Sequence, residues 1–143
     1  MSNKLILLAA TLAAAIATPA AAQYGGRTFT ANLRANAEVP GPGKADARGM
    51  ATVRVNPGLN RICYTVDSQN IPRATMAHIH AGRAGVAGPP VVTLNVSRRG
   101  DGNGCVRVSR RLARDIAERP RAFYVNVHSQ AFPDGAIRGQ LRR

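Results

Sequence analysis

All three histidines of the chain fall in two short runs, Met76–His80 (MAHIH) and Tyr124–His128 (YVNVH), and each run leads into a Gly/Pro-rich turn. Side chains of an extended strand alternate between faces. Met76, His78 and His80 therefore share one face, with Ala77 and Ile79 on the other. The same count groups Tyr124, Asn126 and His128 opposite Phe123, Val125 and Val127. Each segment thus has an apolar side and a side bearing imidazoles. If the two strands are neighbours, three imidazoles converge. No other set of residues in the chain has comparable chemical content.

Three kinds of chemistry fit such a set. Imidazole ligates copper and zinc, and two histidines at i and i+2 on a strand point the same way, so His78, His80 and His128 are candidate metal ligands. With no fourth histidine, Asp134, water or a backbone group would complete the shell. The structural alternative is that each ring locks a loop, bonding a carbonyl through one nitrogen and a side chain through the other. Asn126, Ser129, Arg138 and Gln140 are the candidate partners. Catalysis is the third. A Ser129, His128 and Asp134 arrangement is disfavoured because adjacent strand residues face opposite ways, and no nucleophile elbow is present. The seven acids are too scattered to supply a carboxylate pair. The chain is expected not to be an enzyme.

The elements that must position these residues are mostly strands. Thr28–Leu33, Gly49–Val55, Arg61–Val66, Pro90–Val96, Cys105–Val108 and Ala136–Leu141 read as strands beside the two histidine segments. Asn56–Asn60 contains Pro-Gly and joins two of them as a hairpin. Asp101–Gly104 reads as a tight turn, and Ala35–Arg48 and Ala81–Pro90 as Gly/Pro loops. Ser109–Glu118 carries the only helical signal: a capping serine, Leu112 and Ile116 at i and i+4, and Pro120 as the stop. Many short strands with closely spaced turns predict an all-β antiparallel sandwich with one short helix.

Residues 1–22 have the form of a secretory signal peptide, with Lys4 ahead of an apolar run and Ala20-Ala21-Ala22 before a cut at Gln23. The run is shorter than the ~20 residues a spanning helix needs, and Pro19 interrupts it. Residues 23–143 then form one domain, exported to the periplasm or the medium, with no transmembrane segment after cleavage. Its charge is +12, because cleavage removes Lys4 from the 20 basic residues and leaves all seven acids. An anionic envelope surface is the partner this charge suggests. No specific nucleic acid is expected, because the few aromatics do not interleave with the arginines. Cys63 and Cys105 are expected to form a disulfide, since an even count in an oxidising compartment favours one and no CxxC spacing supports a metal-thiolate pair.

The run His78-Ile79-His80-Ala81-Gly82, with Gly85, Gly88-Pro89 and Val91-Val92 after it, resembles the CHRD domain. So do Tyr124–His128 and the stretch Phe132-Pro133-Asp134-Gly135-Ala136-Ile137-Arg138-Gly139-Gln140-Leu141. That domain recurs in the vertebrate morphogen antagonist chordin and occurs singly in many exported bacterial proteins. The resemblance implies an immunoglobulin-like β-sandwich faintly similar to Cu/Zn superoxide dismutases, over about Thr28 to Leu141. It implies no established biochemical role. The cysteine-rich modules with which chordin binds growth factors have no counterpart here, and a dinuclear dismutase needs more histidines than this chain has.

Asn126, Asp134, Gly135, Arg138, Gly139 and Gln140 belong to the resembling motifs and are expected to be structural. Gly135 and Gly139 would serve backbone geometry, and Arg138 would pair with Asp134 or Asp67. The Tyr124 hydroxyl could reach the imidazole face, though a tyrosine near a sandwich core more often just packs. The leading expectation is a non-enzymatic exported module that binds a macromolecule, its histidines organising loops. The alternative is a periplasmic copper- or zinc-binding protein using His78, His80 and His128.

Overall fold

Alternating apolar residues build eight antiparallel strands in a computed structural model that describes residues 26–143. The expected signal segment at 1–22 lies outside the described residues. The strands are β1 (Arg27–Arg34), β2 (Arg48–Asn56), β3 (Arg61–Gln69), β4 (Ala74–Ala81), β5 (Pro90–Leu94), β6 (Gly102–Arg107), β7 (Phe123–Ser129) and β8 (Ile137–Gln140). One sheet holds them all, in the order β5-β4-β7-β8-β1-β2-β3-β6. It curls until it is nearly a closed barrel, so both packed layers of the all-β antiparallel fold belong to one continuous sheet.

The concave face is the core. Phe29, Ala31 and Leu33 alternate inward from β1, Ala51, Val53 and Val55 from β2, and Ile62, Tyr64 and Val66 from β3. Ala77 and Ile79 of β4 meet Val125 and Val127 of β7 across directly paired positions. A one-residue slip of either strand would turn its apolar set outward and its histidines inward, so burial itself enforces the register.

The hairpin at Asn56–Asn60 forms as read, with Asn56 paired to Arg61 and its side chain accepting from the Leu59 amide at 3.0 Å. Helix α1 (Arg110–Glu118) starts where Ser109 Oγ accepts from the Leu112 amide at 3.1 Å. It buries Ala113, Ile116 and Ala117, and Arg27 at the head of β1 donates to the Ala117 carbonyl at 3.0 Å. Asp101–Gly104 differs from its expected turn. The turn sits earlier, where Ser97 N donates to the Asp101 carbonyl at 2.7 Å, and Gly102 already begins β6. The glycines there read as punctuation, but β6 is an edge strand held on one side by β3, and Gly104 packs against the Tyr64 ring. Among the described residues, no helix is long and apolar enough to cross a membrane.

Cys63 and Cys105 are bonded, and they stand directly opposite each other in the β3–β6 ladder. The bridge fastens an edge strand whose only ladder partner among the described residues is β3. With the cysteines at a sequence separation of 42, closing the loop restricts the unfolded chain by an amount equivalent to about 4 kcal/mol. Cys63→Ala/Cys105→Ala is therefore expected to lower the urea midpoint and, by releasing the unfolded chain, to steepen the slope. An unaltered midpoint would show that the bridge contributes nothing to stability.

Candidate metal centre

β4 and β7 are neighbours, so the two histidine segments meet on the convex face of the sheet. The ladder sets Met76 opposite His128, His78 opposite Asn126 and His80 opposite Tyr124. Ring centroids are 5.4 Å apart for His78 and His80, 4.9 Å for His78 and His128, and 5.7 Å for His80 and His128. One nitrogen from each ring lies within 4.8 Å of those from the other two. His80 and His128 are buried, and His78 is half-buried.

Backbone carbonyls orient two of the rings. Nδ1 of His80 is 2.8 Å from the Gly88 carbonyl, and Nδ1 of His128 is 2.9 Å from the Pro133 carbonyl. A carbonyl only accepts, so each Nδ1 carries the proton and each Nε2 keeps its lone pair. Those two Nε2 atoms are buried without a partner, as is Nδ1 of His78. The expected partners Asn126, Ser129, Arg138 and Gln140 do not bond the rings. Ser129 Oγ instead accepts from the Phe132 amide at 3.2 Å, within the turn that follows β7.

The carbonyls arrive on two loops that must come very close to the sheet. A side chain at Gly88 would collide with the Ala81 carbonyl, and one at Gly135 would strike Glu38 and Asn126. Gly135 also has φ of 146°, a conformation open to glycine alone. Gly139 lies in β8 against the backbone of Asn32.

Arg138 fastens the loop that carries Gly88 and a second loop through Glu38 and Val39. Its Nη1 donates to the Val86 carbonyl and its Nη2 to the Val39 carbonyl, each at 3.0 Å, and Nε lies 3.2 Å from Glu38 Oε2. The guanidinium covers the Tyr124 ring at 4.6 Å, and Tyr124 in turn stacks on His80 at 4.8 Å between centroids. This corrects one expectation, that for Arg138. The partner of Arg138 is Glu38, which a Pro/Gly loop folds in from far along the chain, rather than Asp134 or Asp67. The Tyr124 hydroxyl serves the Gly88 peptide, accepting from its amide at 3.1 Å, while the ring faces the imidazole. Gln140 Nε2 donates to the Gly82 and Arg121 carbonyls at 2.7 and 2.8 Å. The side chain of Asn126 donates to the Asp134 carbonyl at 3.4 Å, and Asp134 itself is exposed. Glu38 is the site residue that sequence reasoning missed; an acid inside a loop rich in Pro and Gly carries no signal of burial.

Burial pushes His78 down to about 4, with the neighbouring rings of His128 and His80 adding to the effect. Burial also lowers His80 and His128, against the opposing pull of their carbonyl partners. The three rings are therefore neutral at pH 7 with their lone pairs free. Glu38 goes the other way: burial raises it to about 7, although Arg138 and Asn126 favour its charged form.

These shifts set opposing slopes. An unfolded histidine titrates near ~6.5. The histidines therefore withdraw stability as pH falls from there toward 4, because the unfolded chain takes up protons that the folded one refuses. Glu38 adds stability over the same descent, from about 7 to its unfolded value of 4.5. In protein freed of metal by chelation, Glu38→Gln is expected to lose stability more steeply with acid than the wild type, and His78→Asn less steeply. Urea midpoints between pH 7.5 and 4.5 measure the slopes; three superimposable profiles would refute the assignment.

Among curated proteins and among solved structures, none matches the chain significantly. The family model of the CHRD domain matches residues 29–141, a span that takes in all eight strands apart from the first two residues of β1. It includes both histidine segments, the Glu38 loop and the Arg138 strand. The chain belongs to the CHRD domain family.

Proposed function

We propose that this domain is an exported, non-enzymatic metal-binding module that holds one copper or zinc ion through His78, His80 and His128. The observation that carries the reading is that each of three clustered histidines, with ligand atoms within 4.8 Å of one another, keeps a buried ring nitrogen with no hydrogen-bond partner. An unsatisfied buried polar atom costs free energy, and three in one place call for an explanation. A metal ion satisfies all three at once.

The chemistry of the donors supports copper or zinc over harder cations, which prefer oxygen. Metal–nitrogen bonds of ~2.0–2.1 Å put ligand nitrogens about 3.3–3.6 Å apart. The 4.8 Å limit found here needs only a slight closure of the rings. The carbonyls behind His80 and His128 fill the outer-shell role that fixes tautomer and orientation at metal sites. The disulfide and the leader-like residues 1–22 support export.

Titration of the chelated wild type with Cu(II), Cu(I) or Zn(II) is expected to saturate at one ion per chain. Binding should raise stability by about 2.7 kcal/mol at a free metal concentration a hundredfold above Kd. His78→Ala, His80→Ala and His128→Ala should each abolish tight binding. A wild type that binds none of these ions, with variants that merely unfold more easily, would leave the histidines as loop anchors.

A second reading, attachment to an anionic envelope surface, is supported by a cleft lined by Arg83, Arg119, Arg121, Arg142 and Arg143. Arg142→Glu/Arg143→Glu should reduce salt-sensitive retention on anionic vesicles. Equal retention of variant and wild type would remove this reading and leave the metal reading intact.

A further inference from the structure

Resting on the metal reading above, we infer that Met76 is the fourth ligand of the site and that the ion it is built for is Cu(I). Met76 stands directly across the β4–β7 ladder from His128 and two residues before His78 on the same face. Directly opposed residues have Cβ atoms about 4.5–5.5 Å apart. The flexible thioether can span that distance to reach an ion held between His78 and His128. Met76 is also 41% exposed, a large apolar side chain on a face otherwise given to imidazoles, Asn126 and Tyr124. No core packing accounts for it. With half-buried His78 beside it, Met76 marks the side on which the cluster is open to solvent.

Two features select the oxidation state. A thioether is a soft donor and favours Cu(I), whereas Zn(II) and Cu(II) gain little from it. The donor set is also uncharged, consisting of three neutral imidazoles and one sulfur. The fixed charges around it are Arg138, whose positive field reaches His80, Glu38 paired to that arginine, and Asp134 beside His128. None of the carboxylates belongs to the cluster. A divalent ion would thus keep its full charge in a partly desolvated site on a strongly basic protein, and a monovalent ion leaves half as much uncompensated.

The test uses the mature protein and its Met76→Leu variant, which keeps the apolar volume and removes the sulfur. Met50→Leu is the control, because Met50 lies on β2, which is not adjacent to either histidine strand. Cu(I) affinity is measured by competition with a chromogenic Cu(I) chelator under ascorbate, and Zn(II) affinity by competition with a zinc indicator. X-ray absorption of the Cu(I) form reads the first shell. The expected result is a loss of Cu(I) affinity in Met76→Leu of about tenfold or more, the scale reached even by outer-shell changes. Zn(II) affinity should be unchanged, a sulfur scatterer should disappear from the copper spectrum, and Met50→Leu should behave as the wild type. Cu(I) bound by the three histidines with no sulfur scatterer and unaltered affinity in Met76→Leu would overturn the role of Met76 while leaving the histidine site standing. Absence of any metal binding by the wild type would overturn both.

Discussion

The outer face of the sheet depends on one buried cation. Arg138 is 3% exposed, and a guanidinium cannot shed its charge, so the surroundings must supply every partner. Two carbonyls accept its hydrogen bonds, and a carboxylate and an aromatic face offset its charge. Those partners come from two separate loops and from β7, so satisfying the charge fixes the loops to the sheet. The loop through Val86 also carries Gly88, whose carbonyl sets the tautomer of His80. Stacking continues the same chain of contacts, from Arg138 through Tyr124 to His80. Loss of the arginine would strand Glu38 and free the loop that orients a ligand, so the cost would exceed that of the ion pair alone.

Alternation made much of this legible. MAHIH and YVNVH carry the face of each histidine in their spelling, and the apolar residues between them specify which face must be buried. Neighbouring β4 and β7 then bring the rings together. Ser109 and Pro120 likewise bracket the helix, and the cysteine pair falls in opposed strands. What was not legible is non-local or backbone-borne. Glu38 becomes a partner of Arg138 only through tertiary folding across the chain. The carbonyls of Gly88 and Pro133 are acceptors that any residue type provides, so no side chain announces them. Gly102 and Gly104 look like a turn because glycine weakens strands, yet ladder pairing to β3 overrides that preference.

The division between faces has a further effect. Valine, isoleucine and leucine side chains close the concave side without help from the histidines, whereas buried His80, Asn126, His128 and Arg138 lie on the convex side. The scaffold therefore does not depend on an ion for its core, unlike small domains that fold only around a metal. Carbonyl bonds hold His80 and His128 in place beforehand, so an arriving ion has little ordering to impose on those two rings.

The closure of the sheet bears on how fast the chain can acquire its shape. β5 and β6 are consecutive in sequence yet lie at opposite ends of the strand order, joined only by the short turn around Ser97–Asp101. Tyr64 of β3 bonds the backbone of Asn95, just past β5, so the two ends meet across this seam. That closure requires β4 to pair with β7 and β1 with β8, segments far apart in the chain that adding one hairpin after another does not join. Such topology delays its reward until distant segments have met, which places folding in the slow, millisecond-to-second regime of all-β domains.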